Sequence, residues 1–129
     1  MTITAVHHVQ LAMPPGEEPA ARAFFEGVLG IPEVAKPPDM AARGGCWFEA
    51  GPVRLHLGVE ADFRPARKAH PALLVDDLPA LVDRLREAGS SPAEGDPLDG
   101  FVHRFFVDDP FGNRIELLQP ATVGIRPRP

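Results

Sequence analysis

Hydrophobic and polar positions alternate in several short stretches of this chain, and in two others the apolar positions recur every three or four residues. Residues 3–13 alternate, with Val9, Leu11 and Met13 on one face and His8, Gln10 and Ala12 on the other, which predicts a strand ended by Pro14-Pro15-Gly16. From about Pro19 to Leu29 the positions Ala21, Phe24, Phe25 and Val28 form a helical stripe, closed by Gly30 and Pro32. Short strands are predicted over residues 31–36, 45–50 and 53–59, with Gly51-Pro52 turning the last pair. Residues 37–44 and 60–68 read as loops.

The same order then returns. His70 to Val75 is strand-like, and Asp77 can cap a helix that accepts Pro79 in its first turn. Leu78, Leu81, Val82, Leu85 and Ala88 make its buried stripe, and Gly89 stops it. Residues 91–95 form a poor strand, whereas Phe101–Asp108 and Asn113–Gln119 are better ones joined by a turn through residues 109–112. Pro120 and the Pro-Arg-Pro ending predict an extended or mobile tail over residues 120–129. The expectation is an α+β domain of two βαβββ modules, about 3–59 and 69–119. Neither module closes its own sheet, so pairing of modules or of chains is expected.

Within this duplication, His8 and His56 frame the first module as His70 and Glu116 frame the second, at nearly equal separations. Alternation puts Val53, Leu55, Leu57 and Val59 on one face, leaving Arg54 and His56 on the other; Ile115 and Leu117 likewise oppose Arg114 and Glu116. Imidazoles and a carboxylate projecting from one sheet face can hold a divalent ion such as zinc, iron(II), manganese, nickel or cobalt. Arg54, Arg104 and Arg114 face the same way, with Phe106 in phase with Arg104 and Gln10 in phase with His8. These five are the candidate substrate contacts, and three arginines predict an anionic or oxygen-rich small molecule.

Composition narrows the partners. A formal net charge of −5 without a basic stripe argues against nucleic acid. A single cysteine, Cys46, permits no internal disulfide and fits a reducing compartment. No apolar run approaches spanning length and no secretory leader is evident, so a cytoplasmic protein is expected.

The pieces His-Val-Gln-Leu-Ala at 8–12, Phe-Phe-Glu-Gly-Val-Leu-Gly-Ile at 24–31, His-Pro-Ala-Leu-Leu-Val at 70–75 and Asp-Asp-Pro-Phe-Gly-Asn-Arg-Ile-Glu-Leu at 108–117 carry a resemblance. Together they make the chain similar to the vicinal oxygen chelate superfamily of glyoxalases, bleomycin-resistance proteins and dioxygenases. The resemblance spans roughly residues 3–119 and implies a curved sheet whose inner face holds a divalent metal. It carries His8, His56, His70 and Glu116 over as ligands, and implies a homodimer in which the modules lining a site can come from different subunits. Glu116 and His56 are the implied proton acceptors, with Glu49 in reserve.

Departures from family patterns restrict the chemistry. A glyoxalase I-like isomerase wants a carboxylate where this chain has His56. Extradiol dioxygenases commonly place a tyrosine beside the iron, and this sequence has none. The expected function is a metal-dependent lyase, isomerase or transferase, and the alternative is a metal-free drug-binding protein of bleomycin-resistance type. A basic loop at residues 63–68 is read as solvated charge.

Overall fold

A computed structural model describes residues 1–121 and divides into two compact units, the second beginning at Arg67. The first unit contains β1 (Val9–Met13), helix α1 (Glu18–Ala21) running into a π-helical segment (Arg22–Val28), β2 (Glu33–Val34), α2 (Pro38–Ala41), β3 (Cys46–Ala50) and β4 (Val53–Val59). The second contains β5 (Ala72–Leu74), α3 (Leu78–Glu87), β6 (Ala93–Glu94), β7 (Phe101–Asp108) and β8 (Arg114–Pro120). No helix among the described residues is long and apolar enough to cross a membrane.

Both units have one topology. The first sheet runs β1-β4-β3-β2 and the second β5-β8-β7-β6, with the first strand of each parallel to the last and the other neighbours antiparallel. Register makes the duplication concrete. Gln10 pairs with His56 and Ala72 pairs with Glu116, so His8 and His70 each stand two residues before the partner of the corresponding last-strand residue. Trp47 and Phe106 occupy the matching positions on the third strands, opposite His56 and Glu116. The α+β class and the βαβββ modules expected from the sequence are those observed.

Alternation explains what each sheet buries. Leu11, Met13, Phe48, Leu55 and Leu57 pack in the first unit with Ala21, Phe24 and Phe25. In the second, Leu78, Leu81, Val82 and Leu85 of α3 are buried, as are Ile115 and Leu117 of β8. Helix α3 begins where expected: Asp77 Oδ1 accepts the Ala80 N–H at 3.2 Å, and the Leu78 N–H donates to Gln119 Oε1 at 2.8 Å, fixing the helix start to β8.

Several expectations change. β5 spans only Ala72–Leu74 of the strand expected over residues 70–75, so His70 precedes it. β1 starts at Val9, not residue 3, so His8 precedes the strand, and the His7 carbonyl before it accepts from Arg54 Nη1 at 3.2 Å. The first helix is α-helical for only four residues, then widens, with Leu29 N–H bonded to the Phe24 carbonyl at 2.9 Å. Gly27 within it weakens the α-helical preference. Residues 38–41 of the expected loop are helical, because Pro38 sits at the first helical position where its missing N–H costs nothing. Pro120 belongs to β8, paired with Phe101, not to a tail; at the strand's last position its missing donor leaves the ladder intact. The remainder of the expected tail, residues 122–129, lies outside the described residues.

Candidate functional site

In the second unit a carboxylate is held by two partners. Glu116 projects from β8 beside Phe106 of β7, and its Oε1 lies 2.9 Å from His70 Nε2 while Oε2 accepts Arg104 Nε–H at 2.7 Å. Burial works to raise the pKa of Glu116, but the hydrogen bonds from Arg104 and His70 outweigh it and leave the carboxyl below its ordinary range. Arg104 also donates through Nη1 to the Asp96 carbonyl at 3.0 Å. Its guanidinium carbon stands 4.8 Å from the Phe106 ring centroid, and that of Arg114 stands 4.0 Å from it. The alternation that placed Arg104, Phe106, Arg114 and Glu116 on one face is thus realised as contact.

His70 is oriented from behind. Its Nδ1 lies 2.7 Å from the Lys68 carbonyl, which only accepts, so Nδ1 carries the hydrogen. Nε2 is the nitrogen presented to Glu116, and with no cation between them it donates its own hydrogen to that carboxylate. An N–H donated to backbone on one side and a nitrogen facing a carboxylate on the other is the arrangement in which a ring can ligate a cation.

The first unit brings its histidines together differently. His56, almost fully buried, is stacked between Trp47 (centroids 4.1 Å apart, planes 5° apart) and His8 (4.4 Å, 20°). Its Nε2 lies 2.8 Å from Glu49 Oε2, and His8 Nδ1 lies 3.0 Å from His7 Nδ1. Imidazole lone pairs lie in the ring plane, so two nearly parallel stacked rings do not aim at one ion without a rotation. Gln10 lies over Gly58, where a methyl group would come 2.5 Å from Gln10 Nε2. Arg54 is engaged with the His7 carbonyl.

Around these residues the first unit has a cavity of about 420 Å³, whose walls include Gln10, Lys36, Met40, Arg43, Trp47 and His56. Met40 and Arg43 went unrecognised because their segment read as a loop, and Lys36 because it only closed the strand expected over residues 31–36. Trp47 and Glu49 had a visible signal: Cys46 and Phe48, alternating with them on β3, are wholly buried and leave them the other face. Cys46 itself is pushed up to about 11 by burial, which makes it an inert core thiol.

A family model matches residues 5–117, nearly the whole span over which the two modules fold. The chain belongs to the Glyoxalase/Bleomycin resistance protein/Dioxygenase superfamily. Among solved structures, a protein from Bacillus anthracis assigned to the glyoxalase family is 40% identical, with a TM-score of 0.87 over 93% of this chain and 98% of that one. The fosfomycin resistance protein FosX of Listeria monocytogenes shares the fold at 13% identity and a TM-score of 0.73, covering 93% of this chain and 96% of its own. TnmS3, an antibiotic binding protein from Streptomyces sp. CB03234, shares it at 23% identity and a TM-score of 0.68, covering 94% and 99%. No curated protein matches the sequence.

Members of this superfamily commonly use a divalent metal, and the residues present bear on whether one fits here. Within each unit, the described His, Cys, Asp and Glu side chains form no group of three or more that could hold a metal ion. The His70–Glu116 pair nevertheless fits: one imidazole nitrogen on a ring held from behind through Nδ1, and one carboxylate oxygen beside it. His8 and His56 supply the right atoms in a stacked rotamer pair.

Proposed function

We propose that this superfamily member is a metal-dependent enzyme acting on a small, oxygen-rich, anionic substrate by lyase, isomerase or transferase chemistry. The observation that supports it most is the orientation of His70, with Nδ1 turned to the Lys68 carbonyl and Nε2 to Glu116. His70 and Glu116 are the principal ligands in this reading, with His8 and His56 completing the set. When bound, a zinc, iron, manganese, nickel or cobalt ion would act as a Lewis acid that polarises adjacent substrate oxygens. The chain's own groups do the rest. Arg104 holds one Glu116 oxygen and so keeps that carboxylate oriented. Arg114, lying over Phe106, offers its guanidinium edge to a substrate oxyanion. Glu116 or His56, whichever is not tightly ligated, is the proton acceptor in this reading, with the His56 ring held by Glu49 and its flanking rings. We further propose that the protein is cytoplasmic and works as a homodimer.

The alternative is a metal-free small-molecule-binding protein, and the Trp47–His56–His8 stack favours it, because stacked rings form a wall more readily than a ligand shell. TnmS3 shows that this fold carries an antibiotic binding protein. Metal stoichiometry after chelation and reloading with zinc or manganese, measured by elemental analysis on His70→Ala, Glu116→Ala and the wild type, separates the two. The metal reading expects about one ion per wild-type chain and an affinity at least about tenfold weaker in either variant. It is abandoned if the wild type retains no ion above background or if His70→Ala binds as well as the wild type.

A further inference from the structure

We propose that the cavity of the first unit binds an amphipathic organic anion, with its oxyanion at Lys36 and Arg43 and its apolar body against Trp47 and Met40. The inference needs no metal, and every wall of the cavity comes from residues 7–59. At about 420 Å³ the space falls within the range of small-molecule sites.

Its lining is divided by chemistry. Trp47 of β3 supplies an aromatic surface, and Met40 of α2 adds a flexible thioether that adapts to ligand shape. Lys36 and Arg43 flank α2 on either side, so both cations belong to the segment that carries Met40. Lys36 spends one hydrogen on the Gly44 carbonyl and keeps two. Arg43 is exposed and has no carboxylate partner among the described residues.

The acidic groups nearby are already committed. Glu49, the carboxylate in the lining, faces His56 Nε2. Glu18 accepts the Gly45 N–H at 2.8 Å; that bond is the main cause of its lowered pKa, to which Lys36 adds. A ligand oxyanion would therefore meet unspent donors on one side and an aromatic and thioether wall on the other. A bare inorganic anion would leave that wall unused, and a cation would meet Arg43.

Trp47 makes the site directly observable. It is the sole tryptophan, and the chain has no tyrosine, so emission excited at the red edge reports on this cavity alone. The full-length protein, in EDTA, is titrated with 4-phenylbutyrate, 4-phenylbutanamide, 4-phenylbutylamine and inorganic phosphate. Saturable change with the acid is expected, at least about tenfold tighter than with the amide, the amine or phosphate. Lys36→Gln with Arg43→Gln is expected to weaken the acid about tenfold and leave the amide unchanged; both positions are off the buried core, and circular dichroism verifies folding. The proposal is overturned if the acid gives no saturable change, if the amine or phosphate binds as tightly, or if the double variant keeps the wild-type affinity. It is equally overturned if the response requires added metal. Because the titration is run without metal, its outcome is independent of whether His70→Ala loses an ion.

Discussion

A Gly45→Ala variant is expected to melt about 10 °C below the wild type, a loss of about 3 kcal/mol. Gly45 enters β3 with φ at +85°, a conformation that side chains rarely adopt. A methyl group there would also sit 2.1 Å from the Leu57 carbonyl oxygen. That atom is backbone of β4, paired with Cys46 in the ladder, so it cannot retreat without breaking the sheet. Strain and overlap add at one atom, which is why the effect is large for a single methyl. The damage is local to the segment that presents Trp47 and Glu49. A thermal melt monitored through Trp47 emission and far-ultraviolet circular dichroism checks it; an unchanged midpoint would mean that β3 enters the sheet by another path.

Asp109→Ala is expected to cost about 3 kcal/mol, although the residue lies in the motif that most strongly marked the superfamily. Asp109 is buried, and its Oδ1 accepts the N–H groups of Phe111 and Asn113 at 2.9 and 2.8 Å while Oδ2 accepts Asn113 Nδ2–H at 2.8 Å. The Asp109 N–H donates to the Asn113 carbonyl at 2.8 Å, closing the turn that joins β7 to β8. Removing the side chain takes away the acceptor of three hydrogen bonds, one of them made by the wholly buried side chain of Asn113. The motif is thus a loop clamp that sets the register delivering Glu116 to Phe106, and its role is architectural.

The same residue gives the loss a pH dependence. Burial pushes the Asp109 carboxyl above its ordinary range, against the pull of its hydrogen bonds to Asn113 and Phe111. A carboxyl with a raised folded pKa contributes stability that is fully present below the unfolded value, about 4, and is lost as pH rises through the folded value. The gap between wild type and Asp109→Ala should therefore be wider near pH 4 than at neutral pH. Urea titrations at the two values measure it, and a gap that widens with pH would reverse the sign assigned to Asp109.

Much of this molecule was decided by local sequence. β4, β7, β8 and α3 came out close to their expected bounds because each carries its own signal: alternation in phase with burial, or a capped apolar stripe ended by glycine. The face of Glu116, Arg104, Phe106 and Arg114 followed from the same period of two, since a residue's side of a sheet depends only on its parity along the strand. What alternation cannot give is a partner. That His70 meets Glu116 through Nε2 depends on the Lys68 carbonyl behind it, and that Arg104 reaches the second oxygen depends on the antiparallel register of β7 and β8. In the first unit His56 and His8 stack instead of splaying, because Trp47 and Glu49 on the neighbouring strand fix the His56 ring. The start of β1 at Val9, the widened helix at Gly27 and the turn of helix at Pro38 were missed because local signals in such short segments are weak and compete. Sequence determined which side chains share a face; only the folded chain decided which of them touch, because contact depends on strand register and rotamer, and parity along a single strand gives neither.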